Sequence, residues 1–153
     1  MMGDTGQPMS QQNAIRVLIV DDYEIVREGL AAMLAGQPDL VLVGTATDGA
    51  EALALVQATQ PEVVLLDLVL PTRDGGMDSP DSLAALHAIR QARPTTHILM
   101  LTSMADEEGI HIYAALRAGA VGYISKDACR EHLLAAIRRL TAGMAGPSHP
   151  VAE

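Results

Sequence analysis

Residues 63–71, Val-Val-Leu-Leu-Asp-Leu-Val-Leu-Pro, constrain the fold more than any other stretch. Four consecutive apolar residues leave neither alternating face polar, which suits a central parallel strand covered by helices on both sides. Asp67 closes that run, and Pro71 ends any extension because proline has no N–H to give a sheet. Ligands of open α/β sheets bind outside the carboxyl ends of the strands. An aspartate in that place either caps the following turn or performs chemistry, and the stretch alone leaves both open.

The rest of the chain supplies the neighbours such a strand needs. Residues 15–20 are a second apolar run, ending in Asp21-Asp22. Residues 24–35 carry Val26, Leu30, Met33 and Leu34 at helical spacing and stop at Gly36 and Pro38. A strand over 41–45 precedes Asp48 and Glu51, whose spacing predicts a capped helix through Gln60, blocked by Pro61. After the central strand comes a polar loop over 71–78, then Ser79 and Pro80 as N-cap and first residue of a helix with Leu83, Leu86 and Ile89 inward. That helix stops before Pro94.

A strand over 97–101 ends at Thr102, and residues 106–118 predict a helix with Ile112, Tyr113 and Leu116 on its inner side, closed by Gly119 with positive φ. A short strand over 122–125 ends at Lys126, and Asp127 is the expected cap of a last helix carrying Leu133, Leu134, Ile137 and Leu140. Residues 1–14 are expected to be a disordered leader and residues 143–153 a linker or tail, leaving one domain over 15–142. Five strand–helix units with short connections and right-handed crossovers give an α/β fold, a parallel sheet with helices on both faces.

Charge narrows the function. Nineteen acids against ten bases give a net charge of −9, and no segment gathers its bases into a stripe that could follow phosphates. Direct nucleic-acid binding by this chain is therefore not expected. No apolar run has the length of a membrane span, no signal-peptide pattern opens the chain, and the single Cys129 can form no internal disulfide, so a cytoplasmic protein is expected. Nine of the ten bases are Arg, and the sole lysine is Lys126.

That lysine belongs to a pattern at the strand ends: Asp21 and Asp22 after the first strand, Asp67 at the third, Thr102 after the fourth, Lys126 after the fifth. Paired suitably, strands about 5 Å apart would bring three carboxylates, a hydroxyl and an ammonium to one place. Crowded carboxylates must take up protons or hold a cation, and an all-oxygen site favours Mg2+. Each piece has an ordinary use, as a helix cap, a turn residue or a solvated lysine. Their joint placement points instead to attack by Asp67 on phosphorus, a reaction that depends on positioning and charge neutralisation.

With these residues in hand the chain resembles the receiver domain of two-component response regulators. The matching pieces are Val-Leu-Ile-Val-Asp21-Asp22, Val-Val-Leu-Leu-Asp67-Leu-Val-Leu-Pro71, Leu101-Thr102-Ser103 and Ala-Gly-Ala-Val-Gly-Tyr123-Ile-Ser-Lys126, in the family's order. The resemblance implies a flavodoxin-like (βα)5 fold with strand order 2-1-3-4-5. It implies that Asp67 accepts a phosphoryl group from a histidine kinase, and that Asp22 and Asp67 bind Mg2+ with the Val69 carbonyl, Asp21 acting directly or through water. Thr102 and Lys126 would contact the phosphoryl oxygens, and Thr102 and Tyr123 would be the switch pair. The face formed by the fourth helix, fifth strand and fifth helix would pass the signal on. That face, or the first and fifth helices, is a candidate homodimer surface.

The stretch Ala-Leu-Arg-Ala-Gly-Ala-Val-Gly-Tyr-Ile-Ser-Lys-Asp looks most like the NarL/LuxR-type subgroup. Its members usually continue into a helix-turn-helix domain, so DNA would be reached only through a domain absent from this chain. A receiver cut from a transcription factor is the first expectation and a stand-alone receiver the second, neither of them an enzyme. A Mg2+-dependent phosphohydrolase with an aspartyl nucleophile is the rival class, but haloacid-dehalogenase-type enzymes want an aspartate two positions on, where this chain has Val69. Two features depart from the family. The loop after Asp67 is longer than usual and brings Arg73, Asp74 and Asp78, and the Thr102–Lys126 interval is slightly long around 109–112.

Overall fold

The computed structural model describes residues 13–70, 81–103 and 109–142. Residues 1–12 of the expected leader, the loop over 71–80 with Ser79 and Pro80, the helix start at Asp106 and the tail over 143–153 lie outside the described residues. Five strands and five helices alternate: β1 Ile15–Val20, α1 Glu24–Leu34, β2 Leu40–Ala46, α2 Gly49–Thr59, β3 Val63–Asp67, α3 Asp81–Ala92, β4 His97–Thr102, α4 Gly109–Arg117, β5 Gly122–Ser125 and α5 Arg130–Thr141. The strands form one parallel sheet in the order β2-β1-β3-β4-β5. This is the flavodoxin-like arrangement, with β3 in the middle, as its apolar run requires.

Strand alternation divides the core in two. Val17, Ile19, Val63, Leu65, Leu99 and Leu101 face α1 and α5, where Leu30, Leu34, Leu133 and Ile137 complete a buried cluster. Their neighbours Leu18, Val20, Val64, Leu66, Ile98 and Met100 pack with Val56, Leu86, Ile89 and Ala115 of α2, α3 and α4. Every residue of β3 is buried, so a polar substitution there meets a wall on either side. With no Phe or Trp in the chain, branched aliphatic side chains and methionine fill both layers.

Local chemistry sets several boundaries. Asp48 Oδ1 accepts the Glu51 N–H at 2.8 Å, and Glu51 Oε1 accepts the Thr47 N–H at 2.8 Å, one residue further upstream than in a standard capping box. Gln60 ends α2 at φ 51°, in the left-handed region, directly before Pro61. Gly119 has φ 122°, a backbone conformation that selects glycine; a Cβ there would also displace the Arg90 side chain, whose Nε would lie 2.7 Å away. At the far end of the sheet Arg138 of α5 donates to both Asp39 carboxylate oxygens, at 2.7 and 2.8 Å, and to Gln37 Oε1 at 3.0 Å. This hydrogen-bonded partner holds the Asp39 carboxyl below its ordinary pKa.

Some sequence expectations shift. Ala14, read as leader, is already buried, and β2 runs one residue further at each end than 41–45. Tyr113, expected inward, is 62% exposed. Ile112, Ala115 and Leu116 define the inner side of α4, and Tyr113 sits about 100° round from Ile112. It stacks under Arg117 instead, at 5.6 Å. Asp127 does not cap α5: Cys129 holds the N-cap position, and the Asp127 N–H is drawn into a turn with Ser125 Oγ at 3.0 Å.

Candidate functional site

The carboxyl ends of β1, β3, β4 and β5 share one rim of the sheet. Register does the alignment: Asp67 is level with Leu101, and Thr102 with Ser125, the residue before Lys126. The Lys126 N–H donates to the Thr102 carbonyl at 2.8 Å, extending the β4–β5 pairing one step past β5. From there the Lys126 side chain reaches across β4. Its Nζ lies 2.9 Å from Asp21 Oδ2 and 3.1 Å from Asp67 Oδ1.

Asp21 is fully buried and Asp67 is 2% exposed, so these charges have little water to lean on. Asp67 Oδ1 also accepts the Val69 N–H at 3.1 Å, which turns the chain sharply after β3. Asp21 Oδ1 accepts the Tyr23 N–H at 2.9 Å. Among the described residues, Asp21 Oδ2 meets the Lys126 ammonium alone. Asp22 is half-buried beside them, and Asp21, Asp22 and Asp67 each offer a carboxylate oxygen within 4.8 Å of the others.

Electrostatics follow from that crowding. Burial, then the negative charge of Asp21, pushes the Asp67 carboxyl up to about 7, although Lys126 and the Val69 N–H pull it down. Burial draws Lys126 downward, but its contacts with Asp21 and Asp67 outweigh this and hold the ammonium above its ordinary value. Among the described residues, three carboxylates and one ammonium leave two negative charges uncompensated when all are ionised. An all-oxygen donor set with its carboxylate oxygens within 4.8 Å of one another and that deficit of two charges together fit a hard divalent cation such as Mg2+.

Of the other expected site residues, Thr102 and Val69 lie on the same rim, while Tyr123 sits further back, level with Met100. Thr102 is buried at the end of β4. Val69 lies two residues past Asp67 and is 46% exposed, so the chain beside the carboxylates is open to solvent there. Tyr123 on β5 is half-buried and packs against the core layer under α2, α3 and α4. His97 lies at the opposite, amino end of β4, and Cys129 is exposed at the start of α5.

Sequence reasoning missed three residues. Tyr23 presents its ring to Lys126 Nζ, 5.8 Å from the centroid. Arg27 on α1 donates to the Asp21 carbonyl at 2.9 Å. Ser82 is buried in α3 and its hydroxyl donates to the Leu68 carbonyl at 2.5 Å, fixing the chain between Asp67 and Val69. A signal existed for Ser82, a hydroxyl four residues before Leu86 on the apolar stripe of α3. For Tyr23 it was an aromatic directly after the paired aspartates.

Comparison with known families bears on this geometry directly. Residues 17–138 match the response regulator receiver domain, a span that includes every residue of the rim. The chain belongs to that family. This receiver is 37% identical over 129 residues to the transcriptional regulatory protein LiaR of Bacillus subtilis (strain 168), covering 84% of this chain and 57% of LiaR. It is 40% identical over 129 residues to the oxygen regulatory protein NreC of Staphylococcus aureus (strain JH9), covering 84% of this chain and 56% of NreC. The receiver thus spans about half the length of the curated relatives it matches.

Solved structures agree on fold and subgroup. A LuxR-family response regulator from Aurantimonas sp. SI85-9A1 superposes with a TM-score of 0.74 at 32% identity, covering 91% of this chain and 93% of that one. The signal receiver domain of the response regulator NarL from Mycobacterium tuberculosis gives a TM-score of 0.72 at 30% identity, covering 86% and 98%. The receiver is accordingly of the NarL/LuxR type. No helix among the described residues is long and apolar enough to cross a membrane.

Proposed function

We propose that this receiver takes a phosphoryl group onto Asp67 from a phosphohistidine of a sensor histidine kinase, with Mg2+ as cofactor, and thereby switches a transcriptional output. The observation that carries the reading is the pairing of buried Asp67 with Lys126 at 3.1 Å, beside Asp21 and Asp22 on the sheet's carboxyl rim. Asp21, Asp22, Asp67 and the Val69 carbonyl would hold the metal, which neutralises phosphoryl oxygens when bound. An Asp67 oxygen forms the new bond to phosphorus as the P–N bond breaks, and its electron pair returns to the donor imidazole.

Lys126 then follows its negative partner. Its ammonium already spans Asp21 and Asp67, so a small rotation delivers it to a phosphoryl oxygen, and the Thr102 hydroxyl supplies a second contact. Because those contacts exist only in the phosphorylated arrangement, they bias the positions of α4, β5 and α5, with Tyr123 turning inward as Thr102 advances. Supporting a transcriptional output, LiaR carries the name of a transcriptional regulatory protein and is nearly twice as long as the match. The output would be a DNA-binding domain on the same protein in the cytoplasm. A homodimer through the α4-β5-α5 face, or through α1 and α5, would set its spacing on DNA.

The test is incubation with acetyl phosphate and Mg2+, with intact mass and phosphate-affinity electrophoresis as readouts. One acid-stable, hydroxylamine-labile phosphoryl group per chain is expected, absent in Asp67→Asn and absent with EDTA. Label on Asp67→Asn, or continuous turnover of a small phosphate ester, would refute the reading, the latter in favour of a phosphohydrolase.

A further inference from the structure

We propose that Tyr23 is a positioning residue for Lys126, its ring holding the ammonium at the rim when a metal occupies the carboxylates. The proposal rests on the phosphotransfer reading of the site and adds a residue to it.

The backbone of Tyr23 is fixed from both sides. It is the N-cap residue of α1, its N–H donates to Asp21 Oδ1 at 2.9 Å, and its carbonyl accepts the Arg27 N–H at 3.1 Å. Arg27 in turn donates to the Asp21 carbonyl at 2.9 Å, so the turn from β1 into α1 is braced as a unit. The ring grows from that braced turn, yet is 61% exposed, so burial gives it little reason to lie where it does. What it meets is Lys126 Nζ, 5.8 Å from its centroid, within the range of an attractive cation–π contact.

Among the described residues the Lys126 ammonium is otherwise paired with Asp21 and Asp67, and both are candidate metal ligands. A divalent cation among those carboxylates competes for their charge and repels the ammonium, weakening both ion pairs together. The aromatic face is not a metal ligand and its attraction survives. Tyr23 therefore gives the ammonium a partner that metal binding does not remove, and keeps it beside the acceptor instead of free in solvent. Any six-membered aromatic ring serves this purpose; the phenol hydroxyl is not required.

The sole lysine makes the contact directly readable, since lysine-selective 13C/15N labelling yields the signals of Lys126 alone. In the native chain and in Tyr23→Phe, ring current should displace the Lys126 ε-methylene protons relative to Tyr23→Leu, with and without Mg2+. Phosphorylation by acetyl phosphate should slow about two- to fivefold in Tyr23→Leu, as an exposed cation–π contact implies, and recover in Tyr23→Phe. In a Lys126→Met background the Tyr23→Leu change should add nothing.

Identical Lys126 signals in the native chain and Tyr23→Leu, or equal slowing with and without the lysine, would overturn the proposal. The two readings fail differently. A missing ring-current effect in a chain that is phosphorylated removes only the role of Tyr23, whereas a chain that takes no phosphoryl group removes the proposed function and the positioning role with it.

Discussion

Replacing Asp67 with asparagine removes one negative charge from a place where burial and Asp21 both oppose it. Those two effects push the native carboxyl from an ordinary 3.8 up to about 7. In the folded state it therefore binds its proton more tightly than in the unfolded chain. The sign is fixed by that order: stability is fully present below the unfolded value and is lost as pH rises from about 4 through about 7, then stays flat. At about 1.4 kcal/mol per unit, the ceiling is about 4 kcal/mol at pH values above 7. The value of about 7 already includes the pull of Lys126, but relaxation of the rim and water entry lower the ceiling, so a net gain of about 1–3 kcal/mol for Asp67→Asn is expected without metal. The assay is urea unfolding followed by circular dichroism in EDTA, at about pH 5 and about pH 8. The advantage of the variant should grow by about 2–3 kcal/mol between them and shrink when Mg2+ is added, because the cation binds the native acid more tightly than the amide. An Asp67→Asn protein no more stable than native at the higher pH, or an advantage independent of pH, would refute the electrostatic account.

Lys126→Met should cost about 2–4 kcal/mol near neutral pH, because it strands two buried carboxylates; Mg2+ affinity measured by titration should rise in the same variant as phosphorylation slows. Ser82→Ala leaves the Leu68 carbonyl without its donor and should lower stability by about 1–3 kcal/mol in chemical denaturation. Gly119→Ala meets both the positive φ and Arg90, and should lower the thermal midpoint by the equivalent of about 1–3 kcal/mol.

The order of strands and helices was legible because period and punctuation are local. The apolar run of β3, the Asp48–Glu51 cap and the glycine at 119 each announce themselves within a few residues. The rim was legible for a related reason, since a parallel sheet carries every strand's last residue to the same edge, and Asp21, Asp67, Thr102 and Lys126 are all last or next residues. Strand order was not in the periodicity and came from resemblance. Nor were contacts between side chains far apart in sequence: Tyr23 with Lys126, or Ser82 with Leu68, depend on how α1 and α3 settle on the sheet. Tyr113 and Asp127 were misread because one residue of helical phase, or one competing turn, is enough to redirect a side chain.

The clasp between Arg138 and the Asp39–Gln37 corner has a mechanical consequence. Helix α5 begins four residues after Lys126, and Arg138, about 12 Å along it, ties its far half to the corner before β2 while Leu133 and Ile137 seat it on the sheet. If phosphorylation draws Lys126 toward Asp67 as proposed, the residues between Lys126 and Leu133 are the stretch left to yield. Cutting the half-exposed clasp would then free the far half as well, at little cost in stability.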